Sequence, residues 1–109
     1  MKEIKAIFQP FMASKVIGSL RELPHLPGIS VSFVTGFSRS DPKTETSEHS
    51  GEAPMTKMEL VVPDALAEKV IQTIAHAART GRSGDGKIFV YEVADVIKIR
   101  TGERGEAAI

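Results

Sequence analysis

The chain alternates between segments in which apolar residues recur at every second position and segments in which they recur at helical spacing. The two-residue period covers residues 2–9, 29–35 and 56–62 and predicts strands. The helical spacing predicts two amphipathic helices, with core residues Val16, Ile17, Leu20 and Leu23 in the first and Leu66, Val70, Ile71, Ile74 and Ala78 in the second. Two short β-rich segments, about 87–93 and 95–100, follow the second helix.

Local signals predict where these helices begin and end. Ser14 and Asp64 are the expected N-caps, because a short polar side chain can accept a hydrogen bond from the free N–H groups of a first turn. Pro24 and the Pro27-Gly28 pair end the first helix. Gly81 is expected at the C′ position of the second helix, where a left-handed conformation is common.

The order of elements predicts an α+β fold of the ferredoxin-like βαββαβ type, in a single domain that covers residues 1–109. One antiparallel sheet would carry both helices on one face. The other face would hold Ile7, Val34 and Val61 among charged residues, and apolar positions on an exposed sheet favour burial against another protein surface. We therefore expect the chain to associate with itself.

Residues about 38–54 form a long polar segment between the second and third predicted strands. It contains no large apolar side chain. Such a segment cannot bury enough surface to offset its ordering entropy, so we expect a mobile loop. Long loops within compact domains are uncommon and are often functional, which makes this loop a candidate for contact with a partner protein.

The composition excludes several classes of function. The 14 Lys and Arg residues balance 14 Asp and Glu residues, so no overall field would attract nucleic acid or an anionic membrane. The chain has no cysteine, and His25, His49 and His76 lie too far apart in sequence for metal-ligand spacing. With no nucleophile–base–acid combination recognisable either, we expect neither an enzyme nor a metal site.

Localisation follows from the absence of targeting patterns. The first residues lack the apolar segment of a secretory signal, and no run approaches the ~18 apolar residues of a membrane span. We therefore expect a cytoplasmic protein that does not insert into a membrane.

The stretch from Thr80 to Val90, Thr-Gly-Arg-Ser-Gly-Asp-Gly-Lys-Ile-Phe-Val, carries the most specific chemistry. Glycines let backbone N–H groups approach a ligand closely, and several such groups beside a lysine suit an anion. Asp-Gly between extended segments also predicts an ordinary hairpin turn. These residues alone leave both interpretations open, and a Walker A loop is excluded because the helix precedes the glycines.

Five motifs together resemble the P-II signal-transduction family. They are Met1–Ile7, Gly36–Arg39, Glu59–Asp64, Thr80–Val93 and Ile97–Glu103. The similarity covers nearly the whole chain apart from the interior of the long polar segment. Several ordered motifs are far more specific than one, so the resemblance favours the phosphate-binding interpretation of the glycine stretch.

The resemblance implies a homotrimer that binds ATP or ADP in the clefts between subunits, with Mg2+ admissible beside ATP. The residues that would cradle phosphates are Gly84, Asp85, Gly86 and Lys87. Lys98 and Arg100 would reach the phosphates from the neighbouring wall of the cleft. The residues that would line the base, the ribose and the loop root are Ile7, Gly36, Ser38, Arg39, Glu59 and Val61.

The chain departs from the family pattern at positions tied to 2-oxoglutarate and to tyrosine modification. Ser40 stands where the family carries a glutamine that helps hold magnesium between ATP and 2-oxoglutarate, and Gln9 replaces a nearby lysine. The modified loop tyrosine is missing, because the single tyrosine, Tyr91, lies in a predicted strand. Lys98 replaces an arginine, which keeps the charge but loses the two-pronged donor. Oxoglutarate sensing and tyrosine modification are therefore not expected.

The sequence leaves three functions open. The leading one is a nucleotide-sensing regulator in which ATP or ADP biases the long loop and the loop contacts a target protein. Residues 22–28 and 101–109 resemble a P-II-like subgroup found alongside heavy-metal efflux pumps, which suggests a membrane transporter as the target. The alternatives are a metal- or ion-linked accessory protein of a transporter, with nucleotide binding secondary, and a slow ATPase.

Overall fold

The computed structural model describes residues 1–37 and 52–109. In this part of the chain the main elements follow the order β-α-β-β-α-β. They are β1 (Lys2–Phe8), α1 (Ala13–Arg21), β2 (Ser30–Phe37), β3 (Glu52–Val62), α2 (Asp64–Ala78) and β4 (Gly86–Glu92). There are also two short 3-10 helices: Pro10–Met12 directly precedes α1, and Gly105–Ala108 follows β4 near the last residue.

The four strands form one antiparallel sheet in the order β2-β3-β1-β4. The side chains at alternate positions of β1 and β3 are buried beneath the two helices, which pack against each other. The buried residues include Ile4, Ala6, Phe8, Met58, Leu60 and Val62 from the strands and Val16, Leu20, Val70 and Ile74 from the helices. The predicted ferredoxin-like α+β fold, with both helices on one face, is confirmed.

The predicted C-terminal boundary of the mobile loop, at about residue 54, is wrong, because residues 52–54 belong to β3. They pair with the last residues of β2, through Thr35 opposite Pro54 and Phe37 opposite Glu52. Strand β1 ends opposite Thr56, so Pro54 lies where β3 has a neighbour on one side only, a position in which a sheet tolerates proline. Residues 38–51, which carry the rest of the predicted loop, lie outside the described residues.

The predicted strand at 95–100 is also wrong. Its one ladder contact is an isolated bridge between Ile97 and Arg104, on a hairpin that folds back on itself. The glycine at the tip, Gly102, has φ +76° and allows the reversal. The alternating apolar residues of this segment therefore mark a local hairpin and not a fifth sheet position.

Neither predicted N-cap is used. Met12 and Pro63 occupy the N-cap positions without side-chain hydrogen bonds. Before α1, the 3-10 helix Pro10–Met12 already supplies a first turn. Asp64 is instead the first residue of α2, where its carboxylate lies 2.9 Å from the N-terminal ammonium group of Met1. Helix α2 ends at Ala78, so Gly81 is not at C′, although its φ of +87° does turn the chain.

Candidate functional site

The sheet face opposite the helices carries a band of charged and apolar side chains. Alternation along β1 turns Ile7 to this face, and the pairing register sets it between Lys57 of β3 and Lys87 of β4. Lys5, two residues before Ile7 in β1, lies on the same face, and its ammonium group is 5.1 Å from the ring centre of Phe89. Two cations thus flank an apolar residue beside the start of β4.

The glycine stretch, residues 80–87, forms a loop that is closed by its own aspartate. The carboxylate of Asp85 accepts hydrogen bonds from the hydroxyl of Thr80 and from the backbone N–H groups of Thr80 (2.8 Å) and Gly81 (3.0 Å). These bonds, the Thr80 hydroxyl first, hold the pKa of Asp85 below its usual range. The carboxylate therefore shapes the loop, and its charge is matched by donors within it.

Two contacts fasten this loop to the end of β1. The side-chain amide of Gln9 donates a hydrogen bond to the carbonyl of Gly84 at 2.6 Å. Gly86, with φ +106°, passes so close to β1 that a Cβ there would lie 1.8 Å from the carbonyl oxygen of Ile7. The tight approach requires glycine and fixes the start of β4, which carries Lys87.

A cavity of about 480 Å³ opens between the loop and the β2–β3 hairpin. Its walls combine the cations Arg82 and Lys87 with the apolar side chains of Ile7, Met55 and Phe89. The predicted site residues that line it are Ile7, Gly36, Gly84, Asp85, Gly86 and Lys87. A cation and backbone groups at one end and an apolar wall at the other suit a ligand that has an anionic part and a flat apolar part.

Two further predicted residues, Glu59 and Val61, line a separate depression of about 260 Å³ on β3. Gly28 and Ser30 line it with them, and neither is among the residues predicted for the site. The register of β2 places Ser30 opposite Glu59, a relation that appears only once the strands are paired. The sequence predicts for Gly28 only a role in ending the first helix.

Lys98 and Arg100 do not meet the glycine loop within one chain. They follow β4, whose six residue steps from Gly86 to Glu92 span roughly 20 Å, and neither residue lines the cavity. The hairpin that carries them exposes both side chains. The predicted site is therefore divided in a single copy between the two ends of β4. Ser38 and Arg39 lie outside the described residues.

Two kinds of feature are absent from residues 1–37 and 52–109. In these ranges no group of three or more His, Cys, Asp or Glu side chains is placed to hold a metal ion. Among the helices of the same ranges, none is long and apolar enough to cross a membrane.

Comparison with known proteins gives a consistent result over the whole length. Residues 1–103 match the model of the family described as nitrogen regulatory protein P-II. The chain is 47% identical over 113 residues to a nitrogen regulatory protein P-II of Rhodospirillum rubrum, with 100% of both chains covered. It is 44% identical over the same length to nitrogen regulatory protein P-II 1 of Escherichia coli K12, again with 100% of both covered.

The fold comparison agrees with the sequence comparison. The crystal structure of Arabidopsis thaliana PII bound to citrate superposes with a TM-score of 0.81 at 41% sequence identity. The match covers 99% of this chain and 91% of the plant chain. At 41% identity the similarity shows that the two proteins belong to the same family, and not only that they share a fold.

Proposed function

Because the chain belongs to the P-II nitrogen regulatory protein family, whose members are regulatory signalling proteins, we propose that it is a homotrimer that binds ATP or ADP between subunits. The observation that carries the proposal is the cavity beside the glycine loop. There the Lys87 ammonium, closely packed backbone and an apolar wall lie together. A polyphosphate would gain charge-assisted hydrogen bonds at one end of this cavity while the base packs on the sheet.

The division of the site supports association between copies. Lys98 and Arg100 lie beyond the far end of β4, and neither lines the cavity of its own chain. A neighbouring copy can bring the same two cations to the open side of the cavity, which adds positive charge where phosphates need it. Contact between copies would also cover apolar positions on the open sheet face, such as Val34 and Val61.

Equilibrium dialysis with labelled ATP, ADP and AMP, with and without divalent metal, tests the proposal, with light scattering on the same sample. We expect a trimer that retains ATP and ADP more tightly than AMP and returns the ATP unchanged. A monomer, or no retention of ATP at millimolar concentration, contradicts the proposal. Release of phosphate would favour a slow ATPase, and binding that requires metal before nucleotide would favour the ion-linked accessory protein.

We further propose that the loop carries the nucleotide state to a membrane transporter. The polar segment 38–54 has no large apolar side chain, so its contacts would rest on charge and hydrogen bonds and should weaken with salt. ATP and ADP must stabilise different loop conformations, because a ligand that binds two states equally shifts neither. Pull-downs from native membranes with ATP, with ADP and without nucleotide test this. Recovery of the same proteins in all three, and after deletion of residues 40–50, contradicts it.

ATP-dependent binding of 2-oxoglutarate is expected to be weak or absent. Ser40 lacks the amide that the family uses at this position to hold magnesium, and Gln9 brings no positive charge. One N–H of the Gln9 amide is moreover bonded to the carbonyl of Gly84, which leaves a single uncharged donor where the family has a lysine. A dicarboxylate without a metal bridge must find other charge to offset its desolvation cost. Calorimetry with Mg2+ and ATP present, with the ATP titration as positive control, measures this; tight oxoglutarate binding contradicts it.

A further inference from the structure

We propose that Asp95 is a positioning residue for Lys98 and Arg100, a role that rests on the nucleotide site proposed above. Asp95 lies three residues after the end of β4, at the base of the hairpin that carries both cations. It touches neither cation. Its effect would come from fixing the hairpin before the nucleotide arrives.

The Asp95 carboxylate joins the outgoing and returning arms of the hairpin. One carboxylate oxygen accepts hydrogen bonds from the backbone N–H groups of Val96 (2.9 Å) and Gly105 (3.1 Å). The other accepts from Nε of Arg104 at 2.9 Å. Three donors from both arms thus converge on one side chain, which closes the base of the hairpin.

Backbone hydrogen bonds and one local side-chain pair hold the rest of the hairpin. The hydroxyl of Thr101 donates to the carboxylate of Glu103 (3.0 Å) and accepts from the backbone N–H of Glu103 (3.3 Å). Lys98 donates its N–H to the carbonyl of Glu103 (2.9 Å) and accepts from the N–H of Gly102 at 2.7 Å. Ile99, next to both cations, is 100% exposed, so packing within the chain does not hold the tip in place. The direction of the tip therefore follows from the base of the hairpin, which Asp95 closes together with the backbone hydrogen bond from the N–H of Gly105 to the carbonyl of Val96 (2.9 Å).

The charge of Asp95 is stable at neutral pH. Partial burial raises the pKa of its carboxyl, but the hydrogen bonds from Gly105 and Val96 and the Arg104 charge outweigh it and lower the pKa below the usual range. An anion held in this way keeps the hairpin in one arrangement. A cationic arm that is already ordered loses less entropy when it binds a phosphate.

The test compares Asp95→Ala, the conservative Asp95→Asn, and the matched control Glu68→Ala, which removes an exposed carboxylate from the outside of α2. ATP and adenosine affinities are measured on each trimer by calorimetry. We expect Asp95→Ala to bind ATP about tenfold more weakly, on the scale of a lost hydrogen-bonded charge. Asp95→Asn retains one oxygen acceptor and should lose about threefold, whereas adenosine binding and Glu68→Ala should stay unchanged.

A double-mutant cycle separates positioning from general damage. In a background with Lys98→Gln and Arg100→Gln, the Asp95→Ala change should cause no further loss, because the groups that it positions are gone. Unchanged ATP affinity in Asp95→Ala, an equal loss for adenosine, or a full loss in the double background overturns the role of Asp95. Failure of the unmodified trimer to bind ATP overturns instead the nucleotide site itself.

Discussion

Replacing Gly86 with alanine is expected to lower the free energy of unfolding by about 3–4 kcal/mol, because the new methyl group adds a steric collision to a backbone penalty. Gly86 has φ +106°, and a Cβ there would lie 1.8 Å from the carbonyl oxygen of Ile7 and 2.8 Å from its carbonyl carbon. These are main-chain atoms of β1, so they cannot turn aside as the end of a side chain could. The substitution must move β4 away from β1.

Gly81→Ala is the matched control for this prediction. Gly81 also has a positive φ, +87°, but a Cβ there would meet nothing within 4 Å. The backbone penalty alone predicts a loss of about 1–2 kcal/mol. Urea unfolding of both variants at one fixed subunit concentration measures the difference, since the stability of an oligomer depends on concentration. Equal losses in the two variants would show that the contact of Gly86 with β1 is not a constraint.

Replacing Lys87 with alanine is expected to weaken ATP binding by about 1.5–3 kcal/mol, the scale of a charge-assisted hydrogen bond. Lys87 lines the cavity directly after the fixed turn at Gly86, so its position is set by the strand and not by a mobile loop. The loss should be large for ATP and ADP and small for adenosine, which has no phosphate.

Calorimetry on matched trimers checks this second prediction. Lys69→Ala serves as the control, because it removes one exposed lysine from α2, on the face away from the cavity. It should bind ATP like the unmodified protein. An ATP affinity that is unchanged in Lys87→Ala, or reduced equally in both variants, would remove Lys87 from the proposed site.

The fold could be predicted where one face of an element is buried in a single core. Ile4, Ala6 and Phe8 alternate with polar or outward residues, and the buried face of β1 follows from that period. The burial of Val70 and Ile74 of α2 could be predicted equally well, because buried positions recur once per helical turn. In both cases the local pattern and the tertiary environment demand the same structure.

The errors occur where tertiary pairing decides. Residues 52–54, Glu-Ala-Pro, have little intrinsic preference for a strand and become one by pairing with β2. Val96, Ile97 and Ile99 have that preference but find no neighbouring strand, so a hairpin forms instead. Ser14 has the chemistry of a cap, but the preceding 3-10 helix starts α1 earlier.

The candidate site was predicted in parts. The glycine stretch is recognisable because its chemistry is local, and the structure brings its residues to one cavity with Ile7 and Gly36. Ser30 lies opposite Glu59 because of the register between β2 and β3, and a local sequence pattern does not predict that register. The roles of Lys98 and Arg100 rest on the resemblance to the family, since in one chain these cations lie away from the cavity.

A complementation experiment with mixed trimers tests the central claim, that the nucleotide site is shared between neighbouring copies. Lys87→Ala subunits have an intact hairpin, and subunits with Lys98→Gln and Arg100→Gln have an intact glycine loop. Neither variant alone should bind ATP tightly, but each mixed trimer should contain one interface at which the intact loop faces the intact hairpin. Calorimetry that recovers one tight ATP site per mixed trimer is the predicted result. No recovery on mixing, with the mixed trimers verified by mass, would contradict a shared site.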